Sequence, residues 1–323
     1  MNVVIFIAQH TMYFTIPLLV VALGGLFSEK SGVVNIALEG IMIMGAFTGV
    51  LFLSFYEQNF HPQVGLLIAL LIATVVGMLV SALHAFAAIN LRANQIISGV
   101  AINMFAPGFA VFISKLPNVS GTQNIFYSNH APRIDSVPIL GDIPLIGPMF
   151  FQGTYFTVYL GIAILGISAF VLYKTKFGLR LRACGEHPQA ADSVGVSVAK
   201  IRYAGVLISG ALAGMGGVIW ILPVSGVFNG TVSGYGFLAL AVLIFGGWRP
   251  KKILFGALFF GIMQTIANGY SVIPFLAALE IPPHFYNMIP FIATLAVLGI
   301  ASNKTTKNAA PKAIGEPYDK GTR

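Results

Sequence analysis

Residues Tyr155–Tyr203 read YFTVYLGIAILGISAFVLYKTKFGLRLRACGEHPQAADSVGVSVAKIRY. The stretch opens on an apolar run, Tyr155–Tyr173. It then changes abruptly to a segment holding Lys174, Lys176, Arg180, Arg182, Lys200 and Arg202. A second apolar run follows, Tyr203–Leu222. A hydrocarbon layer of about 30 Å takes about 20 apolar residues of helix. Apolar, basic, apolar is therefore the pattern of two membrane crossings joined by a loop, and the cations mark the side on which that loop stays.

The rest of the chain repeats this unit. Further apolar runs cover Val3–Phe27, Val33–Phe55, Val64–Ile89, Ile96–Ile113, Gly236–Gly247, Ile253–Tyr270 and Phe285–Ile300. The predicted fold is all-α, a polytopic transmembrane helix bundle of about nine spans. Gly236–Gly247 is too short to cross straight. It is either half of a broken helix or begins earlier, within Gly230–Tyr235. The composition agrees: 57% of the 323 residues are hydrophobic and 9% are charged, against about 25% charged in a soluble domain. Mean hydropathy is +0.86. Such a chain has too little polar surface to cover itself in water.

Orientation follows from Lys and Arg. With the N-terminus outside and the C-terminus inside, only Lys115 and Arg133 of the 18 basic residues lie outside. The net charge of +8 is thus explained by topology before nucleic acid binding, and lipid is the expected environment. The expected organisation is a transmembrane domain over 1–302, with an inside loop at 174–202 and an outside loop at 114–150. A polar tail, 303–323, is expected to be disordered. The N-terminal MNVVIFIAQHTMYF has no basic region and no small-residue cleavage site, so it reads as a retained helix. Glycines recur at small-xxx-small spacing, as in Gly210/Gly214 and Ala213/Gly217, which predicts close helix packing.

The inside loop contains more than charge. Pro188 suits a first helical turn, with Glu186 just ahead of it near the positive end. Gln189–Val194 is long enough for a short helix, and Gly195 suits a left-handed end. An ordinary topology-setting loop needs only charge, so this punctuation points to a docking surface for a partner.

The run Arg182–Val196, RACGEHPQAADSVGV, resembles the cytoplasmic loop of ABC-importer permeases of the branched-chain amino acid, ribose and nucleoside family. Ala190, Ala191 and Gly195 match the importer signature of paired alanines followed by glycine. Glu186 is displaced from its place in the wider signature, as is usual in this group. Glu29–Phe47, Arg92–Phe105 and Leu240–Lys252 resemble further stretches of the same family, in order. The first two of these are similar to its nucleoside and simple-sugar branch. The resemblance implies a permease subunit of an ATP-driven importer in a bacterial inner membrane, with nucleosides as the expected substrate and branched-chain amino acids or a simple sugar such as ribose as the alternative. It implies a cytoplasmic ATPase that binds ATP and is gripped through Arg182, Gly185, Glu186, Pro188, Ala190, Ala191 and Gly195. It also implies a second permease subunit, similar or identical, and an extracytoplasmic binding lipoprotein; the chain is short for the family, which suits the smaller member of a heterodimer.

Several polar residues lie inside apolar runs. A carboxylate at Glu39, with Asn35 one turn before it, is costly there unless satisfied. It is a strut to loop backbone or neighbouring helices, a part of the translocation path, or the ion site of a secondary carrier. The last needs a buried counter-charge, and no Asp, Lys or Arg lies mid-span. Asn103, Gln264 and Asn268 are further path candidates, with Phe105 as a stacking surface. Gln264 and Asn268 share a helix face, and amides can bind a neutral polar ligand. Bonding between helices is the alternative use for them. No G-x-x-x-x-G-K-[ST] phosphate loop is present, so ATP must bind another chain. No metal-ligand spacing and no nucleophile–base set appears, so no cofactor or enzymatic activity is expected of this chain. The single cysteine, Cys184, excludes a disulfide within it.

Overall fold

The computed structural model describes residues 2–127, 133–144, 146–279, part of 281–295, and 310–319. The chain begins with α1 (Asn2–Lys30), α2 (Leu38–Tyr56) and α3 (Pro62–Ala85), the last running into a π-helical turn, Phe86–Asn90. Next comes α4 (Gln95–Ser114), then strands β1 (Ile125–Phe126) and β2 (Arg133–Ser136), the short α5 (Ile146–Phe150) and β3 (Gln152–Tyr155). The helix α6 (Phe156–Lys174) leads into α7 (Lys176–Glu186) and α8 (Pro188–Ser193). The long α9 (Val198–Trp220), β4 (Val227–Phe228), α10 (Tyr235–Phe245), α11 (Pro250–Gly269) and α12 (Pro274–Ala277) complete the described elements.

Among the described residues, seven helices are long and apolar enough to cross a membrane. These match seven of the expected runs. The run at Gly236–Gly247 is α10, which has 11 residues. At 1.5 Å per residue it reaches about half-way across. It starts at Tyr235, behind Gly234 at φ 78°, and the stretch before it from Gly226 is not helical. It is therefore a half-length helix entered from non-helical backbone. Much of the last run, Phe285–Ile300, lies outside the described residues.

Helix α9 is the centre of the bundle, and its packing follows from small residues. A Cβ on Gly77 would lie 2.1 Å from the Gly210 carbonyl, and one on Gly217 would lie 2.1 Å from that of Met42. These approaches bring α9 against α3 and α2 with no room for a larger side chain. Apolar Leu, Ile and Val of α1 and α2 fill the space around it, many with no exposed surface. The outward faces of α3, α4 and α6 carry exposed Leu71, Leu79, Phe112 and Phe170, as lipid-facing helices require.

The segment at 114–150 is not a plain loop. β1 pairs antiparallel with β4, and β2 with β3. Gln9 Nε2 donates to the Pro148 and Gln152 carbonyls at 2.8 and 3.0 Å. Among the described residues, these two small sheets are the departure from an all-α fold. The tail also differs from expectation, because residues 310–319 are packed against the bundle. Ala313 is 4% exposed, and its N–H donates to the Gly185 carbonyl at 2.9 Å. Its order comes from hydrogen bonds to distant backbone, which a polar composition does not reveal.

Candidate functional site: a carboxylate-held half-helix and a solvent-facing loop helix

The break between α1 and α2 is mostly buried and not helical, so its backbone groups must find partners within the protein. His84 Nε2 lies 2.9 Å from the Val34 carbonyl, and Gln95 Oε1 accepts the Val34 N–H at 2.8 Å. Asn103 serves both sides of the break. Its Nδ2 donates to the Ile36 carbonyl at 2.9 Å, and its Oδ1 accepts the Gly40 N–H at 2.7 Å. Asn35 Nδ2 donates to Ser209 Oγ at 2.8 Å. Asn35 and Asn103 thus join the break to α9 and α4.

Glu39 sits in the first turn of α2, 6% exposed. Its Oε1 accepts the Gly234 N–H at 2.9 Å, and its Oε2 accepts the Gly236 N–H at 2.7 Å. The first N–H groups of a helix have no partner within it, and the helix dipole favours an anion there. The strut reading of Glu39 is the one this geometry matches, and the backbone it supports is the start of α10. The approach is close enough that a Cβ on Gly236 would lie 2.4 Å from the Glu39 Cα.

A cavity of about 340 Å³ opens on the other side of that helix start. Ser233, Gly234, Phe237, Leu238, Ala241, Gln264 and Pro290 line it. The structure therefore brings Gln264 to the same place as the backbone that Glu39 holds. Asn268 lies one turn on, and its Nδ2 donates to the Gln264 carbonyl at 2.8 Å and to Gln264 Oε1 at 3.2 Å. Phe105 lies elsewhere, exposed on α4 and stacked on Phe109 with centroids 5.3 Å apart. Phe237 stands in the cavity wall, and its place there follows from the non-helical backbone before α10.

At the other candidate site, the loop folds as its punctuation predicts. Pro188 is in the first turn of α8, and Gly195 has φ +83°. The Gly195 N–H donates to the Asp192 carbonyl at 2.9 Å, and the Val196 N–H to that of Ala191 at 3.1 Å. These two bonds form a Schellman end. The residues divide by face. Pro188 and Ala191 are buried, and Gly185 is packed so that a Cβ would lie 2.3 Å from the Lys30 carbonyl. Ala190 and Gly195 face solvent, as does Val194, which is 77% exposed. An apolar side chain so exposed at the end of a six-residue helix was not singled out by sequence. Arg182 donates from Nε to the Gly178 carbonyl at 3.3 Å and lies over the Tyr173 ring. Glu186 Oε2 accepts the Lys312 N–H at 3.4 Å. Cys184 is fully buried, and burial pushes its thiol up to about 11 against the opposing pull of Arg202.

A helix bundle with a broken crossing beside a cavity, and a punctuated loop helix at one end, defines a multi-pass membrane transport subunit. The chain belongs to the branched-chain amino acid transport system / permease component family, whose model matches residues 7–298. It is a transporter subunit and not an enzyme. The guanosine ABC transporter permease protein NupQ of Bacillus subtilis (strain 168) is 46% identical over 98% of this chain and 97% of its own length. The nucleoside ABC transporter permease protein NupC of Lactococcus lactis subsp. cremoris (strain MG1363) is 40% identical over 99% of each chain. The nucleoside ABC transporter permease protein NupB of the same strain is 27% identical over 79% of this chain and 70% of its own.

Proposed function

We propose that this chain is a membrane permease subunit of an ABC importer for nucleosides, driven by ATP bound on a separate cytoplasmic ATPase. The observation that carries the substrate is the near-complete match to a guanosine permease at 46% identity. The cavity beside α10 supports it. It offers the Gln264 amide and the Phe237 ring, an arrangement suited to a neutral polar molecule with an aromatic face, and it has no charged side chain in its lining. Asn268 extends the same polar face. Asn35, Glu39 and Asn103 would then act on the path by holding the backbone that borders it. Phe105, on an exposed face, is a candidate for contact with a second subunit.

The ATPase docks on the loop at 174–202, with Ala190, Val194 and Gly195 presented outward. Arg182, Gly185, Glu186, Pro188 and Ala191 hold α8 in place from behind. A second permease subunit completes the path, and a heterodimer is favoured because two different permeases of one Lactococcus strain both resemble this chain. An extracytoplasmic lipoprotein delivers the substrate. The chain crosses nine times with its N-terminus outside and C-terminus inside, a topology supported by the Lys and Arg distribution. Reporter fusions at the two termini test that topology.

The functional test is uptake of labelled guanosine, ribose and leucine by cells carrying the complex. Guanosine uptake that ceases on ATP depletion is expected. Uptake of leucine alone overturns the substrate, and ribose alone moves it to the sugar branch.

A further inference from the structure

The segment Pro311–Asp319 meets four elements that are far apart in sequence. The Ala313 N–H donates to the Gly185 carbonyl at the end of α7, at 2.9 Å. The Gly315 N–H donates to the Gly32 carbonyl in the α1–α2 break, at 3.0 Å. Arg202 Nη1, in the first turns of α9, donates to the Glu316 carbonyl at 2.8 Å. Asp319 pairs with Arg92, between α3 and α4, at 2.7 Å. Tyr318 packs on the cluster of Cys184, Ala191 and Val198, the apolar floor beneath α7 and α8.

Arg202 is the unusual member. It is only 2% exposed, and its Nε and Nη2 have no hydrogen-bond partner among the described residues. A buried guanidinium is costly unless its hydrogen bonds are fixed, and the bond to the Glu316 carbonyl fixes this one to the segment. The site permits little movement, because a Cβ on Gly32 would lie 2.9 Å from Nη2. The Arg92–Asp319 pair is solvent-exposed, with side chains 51% and 38% accessible, so it adds little. The buried Arg202 and the two backbone bonds are what hold the segment.

We propose that Pro311–Asp319 is a strap, fixed by Arg202 as a positioning residue, that ties the α7–α8 unit to the α1–α2 break and carries movement of α8 into the bundle. The contacts are continuous. Gly185 and Gly32 are linked through residues 313–315. The break at Gly32 leads within seven residues to Glu39, which holds the start of α10 beside the cavity. Gly185 also packs directly on Lys30, so the strap is a second tie between the two, and an ATPase that moves α8 carries the backbone at the candidate substrate site in full only while that tie holds. This inference rests on the proposed docking of an ATPase at α8.

The test uses the complete importer in proteoliposomes, with labelled guanosine as the probe. Three variants are compared: a chain ending at Ala309, Arg202→Ala and Arg202→Lys. Measured are ATPase recovery with the permease, uptake, and ATP hydrolysed per guanosine taken up. The strap account expects unchanged ATPase recovery. For the shortened chain and Arg202→Ala it expects a ratio raised by at least about fivefold, the lower range for coupled sites. Arg202→Lys keeps one donor for the Glu316 carbonyl and returns the ratio most of the way. A shortened chain with the wild-type ratio overturns the strap. If the shortened chain does not reach the membrane, the Arg202 pair decides, and equal ratios in Ala and Lys variants overturn it. A wild-type chain that recovers no ATPase refutes the docking site and the strap together, whereas a competent wild type with an indifferent strap refutes the strap alone.

Discussion

The Glu39 carboxylate in α2 holds the Gly236 N–H in α10 at 2.7 Å, across 197 positions of sequence. With its second oxygen on Gly234, it closes the end of a half-helix that would otherwise leave donors bare at membrane depth. Glu39→Ala removes two charge-assisted bonds, each worth about 1.5–3 kcal/mol. A fall of several degrees in the thermal midpoint of the detergent-purified protein is expected, together with loss of uptake. Glu39→Gln keeps one acceptor and should fall between wild type and Ala in a thermal-shift series.

Two neighbouring glycines separate crowding from backbone strain. Gly236→Ala places a Cβ 2.4 Å from the Glu39 backbone and should destroy the clamp. At Gly234, φ is +78° with nothing within 4 Å of a Cβ, so alanine there costs only about 1–2 kcal/mol of left-handed strain. Uptake should survive Gly234→Ala in part and fail in Gly236→Ala. Equal effects would mean that the close approach does not matter.

Much of this was legible in the sequence. Apolar runs located the crossings because a membrane helix must satisfy its backbone internally and expose apolar side chains. The Pro188 and Gly195 signals located α8 because each acts on its own backbone angles. Glu39 was recognisable as a strut or path residue, because an ion site there would need a buried counter-charge and none lies mid-span. What stayed hidden depends on distant partners. Ala190 and Ala191 are adjacent and alike, yet one faces solvent and the other the bundle, and only the packing of α7 under α8 fixes that phase. The segment 310–319 has a polar, Pro- and Gly-containing sequence, and its order derives from carbonyls at Gly185 and Gly32. Asn103 read as a path residue, while its amide bonds the break before α2.

Cys184 gives a probe of the loop's packing. It has no exposed surface, and its thiol is held near 11, so at pH 8 only roughly one molecule in a thousand carries the reactive thiolate. A maleimide reagent should leave the folded protein unlabelled and label the denatured chain fully. Because raising the pH through 9 still leaves the thiol protonated, labelling should stay low over that range. Rapid labelling of the folded protein would show that the α7–α8 unit opens readily.

The energy source separates an importer from an ion-coupled carrier. With Glu39 engaged by backbone N–H groups, a proton gradient imposed without ATP should drive no guanosine accumulation in proteoliposomes. Uptake that follows the gradient and is abolished by Glu39→Gln alone would support the carrier.

The claim that an ATPase grips this permease at α8 is tested most directly at Val194, the 77% exposed residue at the C-terminal end of that helix. A photo-crosslinking amino acid placed there, in membranes containing the whole importer, should yield an adduct with the ATPase subunit. An importer that takes up guanosine at the normal rate while Val194 gives no ATPase adduct, and while Val194→Glu changes nothing, would contradict it.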